Sequence, residues 1–335
     1  MDIQTKFKHN MAAHCETGTL VGLLNNAGLK ITEPMAFGIA HGIFFGYFES
    51  RNFPFPTFVV RSRPGDIREK LSKSLNIGLK SYKFKKPEQG IKTLDSLLNE
   101  GIMVGAQVDF FYMDYLPEWI RVHNNVHFIN ILGKEGDNYI VSDSYHPRIS
   151  SISSDLLIKA RWAGGYMAPK GYMYYPSSVK PDPDFRKPII QGIRRACRNM
   201  LNLPVPFIGV KGIYRFANRI NNWPQKTRDT EHLSHEIMKI NVLLEDQGTG
   251  GAGFRFMYAT FLKQAAEIMN NPTLNEMSER IMNIGDDWRN ISYFAAKIGK
   301  TRDLGPDKIK ELSELIRKQG DAEKIFFKDL KKVYS

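Results

Sequence analysis

Cys15, His127 and Asp143 are the residues whose types and order in this chain could carry covalent chemistry. Cys15 opens the run Cys15-Glu16-Thr17-Gly18-Thr19-Leu20-Val21-Gly22-Leu23-Leu24. There Leu20, Val21, Leu23, Leu24 and Ala27 recur at helical spacing, and Asn26 to Gly28 supplies a stop signal. A thiol at a helix N-terminus sits at the positive end of the dipole, which favours the thiolate, and the thiolate is the nucleophile. An isolated cysteine is more often a packing residue, so a catalytic reading needs a base and an acid to orient it. Two strand-like runs, 127–132 and 138–143, flank a loop of hairpin length at 133–137. If that loop is symmetric, His127 faces Asp143 with Cβ atoms ~4.5–5.5 Å apart. Asp143 would then fix the imidazole tautomer and His127 would accept the Cys15 proton. A slip of one residue would separate the pair, in which case His123, Asn124 or His146 could take a place in the site.

The order cysteine, histidine, then an acid or amide is that of papain-like enzymes. No metal site is expected: His123, His127 and His146 match no zinc-ligand spacing.

The elements that must position these groups follow the hydrophobic pattern. Helices are read at 66–75, 92–99 and 154–161, and strands at 57–60, 102–110 and 172–175. Thr32-Glu33-Pro34 reads as a helix start. The helix it opens would carry Gly38, Gly42 and Gly46 on one face, as close backbone approach requires. Asp109-Phe110-Phe111-Tyr112-Met113-Asp114-Tyr115 combines aromatic rings with two acids and reads as packing that could also line a pocket. Pro176 to Pro183 reads as a linker, dividing the chain into a domain of residues 1–178 and a helical domain of residues 179–335. In the second part, helices are read at 185–201, 231–245, 254–269 and from a capping box at Thr273 to about Lys297. Two further helices would be split by Gly320. The glycine-rich 248–253 lacks the Gly-Lys-Ser/Thr of a phosphate loop and reads as a tight turn between helices. Cys197 falls on the apolar side of its helix and reads as core.

With 335 residues, 42% of them hydrophobic, the chain can bury two ordinary cores. Its two cysteines make no disulfide framework, which suits a reducing compartment. Met1 to Lys6 has no apolar run of the secretory kind, and the most apolar stretch, 35–48, is too short to span a bilayer. A soluble, cytoplasmic protein is expected. Lys and Arg number 47 against 35 Asp and Glu, a net charge of +12 with clusters at 80–86, 186–198 and 328–332. Nucleic acid, an anionic membrane or an acidic protein could answer such a charge. There is no helix-turn-helix, zinc-finger or RNA-binding signature, so nucleic acid is not expected.

Taken together, the chain resembles the butirosin biosynthesis protein H family. The resemblance rests on His14-Cys15-Glu16-Thr17-Gly18, on Glu33 with Phe37-Gly38-Ile39-Ala40 and Gly42, on the segment 109–117 with its Tyr-Leu-Pro ending, on the strand from His127 to Gly133, and on Asp143 and Ala160-Arg161. In the second half it rests on Gly250-Gly251-Ala252-Gly253-Phe254-Arg255, Tyr258, Phe261-Leu262 and Trp288. The resemblance implies an α+β fold, with a papain-like, antiparallel-sheet N-terminal domain and an all-helical C-terminal domain. It also implies an acyltransferase that loads an acyl group from an acyl carrier protein thioester onto Cys15 and passes it to a small amine or hydroxyl acceptor in specialised-metabolite or lipid biosynthesis. In that reading Cys15 is the nucleophile, His127 the base and Asp143 the orienter. Asn10 and His14 are the side-chain candidates for the oxyanion donor beside the Cys15 N–H, because Lys8-His9-Asn10-Met11 lacks the glutamine of papain-like enzymes. Asp109, Tyr112, Tyr115 and Arg255 are the pocket candidates. No cofactor is bound; the donor presents its acyl group on a phosphopantetheine arm, and its acidic surface would meet the basic charge. A cysteine peptidase or amidase of the same fold, a non-catalytic carrier-binding scaffold and a homo-oligomer stay open.

Overall fold

The structure is a computed structural model, and it describes residues 7–50 and 53–334. Residues 1–6, read above for a secretion signal, lie outside the described residues. The chain forms two compact units. The first holds the chain through Ala36 together with Pro64–Pro183; the second holds Phe37–Arg63 and the chain from Asp184 onward. One division falls after residue 183. Residues 37–63, however, group with the helical unit, because their apolar side chains have their packing partners there.

The first unit is α+β. Helix α1 (Cys15–Asn26) buries Leu20, Leu23 and Leu24, each such side chain contributing ~1.5–3 kcal/mol. Helix α2 (Glu33–Ile39) starts in this unit. In the second unit β1 (Gly46–Phe48) pairs antiparallel with β2 (Thr57–Val59). The first unit resumes with α3 (Asp66–Leu75), β3 (Gly78–Tyr82), α4 (Pro87–Asn99) and β4 (Val104–Val108). Then come β5 (His127–Glu135), β6 (Asn138–Ser142), β7 (Ser150–Ser153), α5 (Ser154–Arg161) and β8 (Met173–Ser178). Six of these strands form one antiparallel sheet in the order β3-β8-β4-β5-β6-β7. Val104, Ala106, Val108, Ile129, Ile131 and Val141 on one side of it form a core with Leu94 and Leu97 of α4 and Leu157 and Ala160 of α5.

The second unit is helical apart from its short hairpin. It contains α6 (Arg186–Leu201), α7 (Gly209–Ile220), α8 (Thr230–Asn241), α9 (Arg255–Met269), α10 (Thr273–Thr301) and α11 (Pro306–Val333). Three glycines expected on one helix face do not share one. α2 ends at Ile39, Gly42 lies just beyond the turn at Ala40 and His41, and Gly46 begins β1. Close approach still governs Gly38, where a Cβ would fall 2.0 Å from the ring of Phe261. Gly320 does not split a helix. It sits inside α11 where the Tyr214 ring leaves no room, a Cβ there lying 2.8 Å from it. Tertiary packing thus outweighs the ~1 kcal/mol helical penalty of glycine. Thr273 is the first residue of α10, not its cap. The turn at 248–253 holds Gly250, Gly251 and Gly253 at positive φ, and the Ala252 N–H is taken by the Glu245 carboxylate at 3.2 Å, as suits a turn.

Candidate active site

Cys15 is the first residue of α1, so its backbone N–H lacks an intrahelical acceptor. Three side chains hold this helix start. The Glu33 carboxylate accepts the N–H groups of Ala13 at 3.0 Å and His14 at 2.8 Å. Glu16 accepts the Gly65 N–H at 2.9 Å. Thr19 donates its hydroxyl proton to the Phe128 carbonyl at 3.0 Å, tying α1 to β5. Gly18 makes the approach possible, since a Cβ there would lie 2.4 Å from the Ala12 Cβ and 2.9 Å from the Ser144 hydroxyl. Burial pushes the Glu33 carboxyl upward, against the two N–H groups that favour its charge.

His127 opens β5, and its Nε2 lies 2.8 Å from Asp143 Oδ2. The register expected of the hairpin is not the one formed. The turn is the two residues Gly136 and Asp137, and the pairs nearest it are Glu135↔Asn138 and Lys134↔Tyr139. That register alone would send Asp143 to the opposite face from His127. A bulge at Leu132 corrects it: beyond the bulge Ile131 pairs with Val141 and Asn130 with Ser142. Continued, this register sets Asp143 opposite Ile129, on the His127 side of the sheet and diagonal to it. A diagonal spacing of ~7–8 Å between backbones is within reach of an imidazole and a carboxylate.

The pair is enclosed, with side-chain exposures of 6% for His127 and 1% for Asp143. Burial works against an imidazolium, yet the Asp143 charge and hydrogen bond outweigh it, and Cys15 adds to them, so His127 is pushed up to about 10. For Asp143 too, burial opposes charge. The His127 cation, the Tyr145 N–H at 2.9 Å and the Tyr115 hydroxyl at 2.9 Å overcome it and hold the carboxyl below its usual range. With Nε2 committed to Asp143, Nδ1 is the imidazole nitrogen left for the sulfur. The Cys15 thiol itself rests 3.7 Å from the Val126 carbonyl, next to His127 in the chain. The Phe110 ring packs edge-on against the imidazole at 4.8 Å. Such a set can hold a thiolate–imidazolium pair and move a proton between sulfur and ring.

The other expected residues divide. Tyr115 joins the set as the second side-chain donor to Asp143. Asp109 instead caps a turn: it accepts the N–H groups of Phe111 at 3.1 Å and Asn124 at 2.9 Å, and its other oxygen lies 2.8 Å from His123 Nδ1. Tyr112 packs against His123. Arg255 lines no open pocket. It is fully buried in the second unit, where Glu323 binds its guanidinium at 2.9 and 3.0 Å and also accepts the Trp288 indole N–H at 2.7 Å. Asn10 is exposed, with its amide 3.5 Å from the Lys8 carbonyl. His14 is buried, with Nδ1 2.7 Å from the Thr17 hydroxyl. His146 Nδ1 turns to the Arg148 carbonyl and the Ser150 hydroxyl. Among the described residues no three His, Cys, Asp or Glu side chains could hold a metal ion, and no helix is long and apolar enough to cross a membrane. Sequence reasoning missed Gln107 and Asn125. Gln107 donates to the carbonyls of Asn125 and Met167, and Asn125 to those of Gly164 and Tyr166, which fixes the loop leading into His127. Nothing local marks them, because their partners are up to 60 residues away.

A cysteine at a helix start, a histidine on an antiparallel strand and a following acid are the arrangement of papain-like, cysteine-dependent enzymes. Residues 14–144 match the family model described as butirosin biosynthesis protein H, N-terminal, and residues 155–330 match the domain of unknown function DUF4872. The chain belongs to the family defined by the DUF4872 domain, and its N-terminal part is similar to the butirosin biosynthesis protein H N-terminal family. Among solved structures it is similar to one described as a C39-like peptidase from Bacillus anthracis, at 14% identity and a TM-score of 0.35, over 51% of this chain and 92% of that one. No curated protein matches the chain.

Proposed function

We propose that the protein is an acyltransferase working through an acyl-Cys15 intermediate, with an acyl carrier protein thioester as donor and a small amine or alcohol as acceptor. The Cys15 sulfur attacks the thioester carbonyl. The C–S bond to the carrier's phosphopantetheine arm breaks, and that thiol leaves with the proton held by His127. The acceptor then attacks the acyl-Cys15 carbonyl and gives its proton back through His127, and Cys15 is released. Asp143 stays ionised and orients the ring throughout. The Cys15 N–H is the oxyanion donor that α1 holds in place, with Asn10 or His14 as the side-chain partner. The observation that carries this reading is the buried 2.8 Å contact between His127 and Asp143 with Cys15 bearing on the same imidazole. The match of residues 14–144 to a butirosin biosynthesis family model favours transfer in metabolite assembly over peptide cleavage.

The test is intact-protein mass spectrometry after mixing with an acyl-loaded carrier protein. Wild type gains the acyl mass and loses it when an amine acceptor is added, and Cys15→Ala gains nothing. Acyl transfer by Cys15→Ala at the wild-type rate, or cleavage of peptides without acylation, would overturn the proposal.

A further inference from the structure

In the helical unit, α6, α7 and α11 wall a cavity of about 630 Å³. Its floor is apolar, formed by Leu201, Val210, the Tyr214 ring and Ile325, and Ile325 remains 57% exposed. Its rim is cationic: Lys211 on α7 and Lys324, Lys328, Lys331 and Lys332 on α11. The four α11 lysines fall at offsets that share one helix face and extend over about 12 Å of axis. The rim's one acid, Asp329, is already engaged by Arg280 at 3.0 Å and Lys332 at 2.8 Å. Lys211, Lys324, Lys328 and Lys331 have no carboxylate within ion-pair distance among the described residues.

The helix dipole accounts for cations in the last turn, Lys331 and Lys332. It does not account for Lys324 and Lys328, which lie before that turn, or for Lys211 on another helix. Earlier in α11 the charges alternate, and Lys308 pairs with Glu311 at 2.8 Å. Segregation of one sign around exposed apolar surface therefore sets this face apart from the earlier turns of α11.

We propose that this groove docks an acidic amphipathic helix of the carrier protein that donates the acyl group. Apolar side chains of that helix fill the floor, and carboxylates one turn apart meet the lysine row. This rests on the acyl-transfer reading above and adds to it the surface that recognises the donor. Complementary charge of this kind chiefly raises the association rate and is screened by salt.

The test compares two donors of one octanoyl group, an octanoyl-loaded acyl carrier protein and the octanoyl thioester of N-acetylcysteamine, for wild type and for full-length Lys324→Glu/Lys328→Glu. The variant is expected to lose about tenfold or more in the second-order rate of Cys15 acylation by the carrier and to keep the wild-type rate with the small thioester. Raising salt from roughly 50 to 300 mM should slow carrier-dependent acylation of wild type far more than that of the variant. Ile325→Asp should show the same split between donors. Equal carrier-dependent rates for wild type and variants overturn the docking surface. So does a wild type acylated by the small thioester alone, or a variant that loses only its binding to anionic phosphatidylserine vesicles. A wild type acylated by neither donor removes the acyl-transfer reading, and the docking proposal with it.

Discussion

Two histidine–aspartate pairs stand close together in the first unit, His127 with Asp143 and His123 with Asp109, and each closes to 2.8 Å. Distance does not separate them; enclosure does. The side chain of His123 is 66% exposed although that of Asp109 is buried, so water reaches this imidazole. Asp109 meanwhile spends its other oxygen on two backbone N–H groups of a turn. His127 is shut beneath Phe110, and its aspartate has a second side-chain donor in Tyr115. At His127 a thiol bears on the ring as well. A matched pair of side chains is therefore weak evidence of chemistry until burial and a third partner are known.

The largest expected effect that would sharpen this contrast is on acylation. Asp143→Asn should slow acyl-Cys15 formation roughly 10²–10⁴-fold, whereas Asp109→Asn should leave it near wild type and act on stability alone, at a cost of about 1.5–3 kcal/mol for a buried, hydrogen-bonded carboxylate. Mass-resolved acylation time courses read the first, and urea denaturation the second. Equal losses in the two variants would collapse the distinction.

Next is the dependence of stability on pH. The folded His127 binds its proton up to about pH 10, above its value of about 6.5 in an unfolded chain. The native state thus holds the extra proton between those limits. The stabilisation is complete below pH ~6.5, falls as pH rises and is gone above about 10. Asp143 acts in the opposite sense: its folded value is depressed, so its contribution is present above pH ~4 and fades as acid protonates it. Melting curves from pH 5 to 10 should show an alkaline decline that His127→Gln flattens and His123→Gln retains. Persistence of the full decline in His127→Gln would assign it elsewhere.

The smallest effect is expected at Tyr115. Removing the hydroxyl in Tyr115→Phe takes one donor from the buried Asp143 carboxylate, at a cost of about 1.5–3 kcal/mol for a hydrogen bond to a charged group. The pH profile of acylation should move with it. A variant altered in stability but unchanged in pH profile would make Tyr115 a packing residue only.

Much of this arrangement was legible in the residues themselves. Helices at 66–75 and 154–161 form where apolar periodicity places them, and Cys15 is the first residue of its helix. The helical second half follows from the same periodicity, and the α+β character of the first half was what the family resemblance implied. These features are set within a turn or two of chain, by side chains close in sequence. Other features were not legible: the bulge at Leu132, the Glu33 clamp, the close contacts at Gly18 and Gly320, and the burial of Arg255 against Glu323. Each depends on partners distant along the chain.

His127 and Asp143 show both sides of this. Their residue types and approximate positions named them as partners, but the hairpin built from local symmetry had the wrong register. A single extra residue in β5 returns both side chains to one face. Sequence determined which groups were available and where the helices start. Tertiary structure decided which histidine is enclosed with a thiol, because strand register and burial are settled only when distant segments pack together.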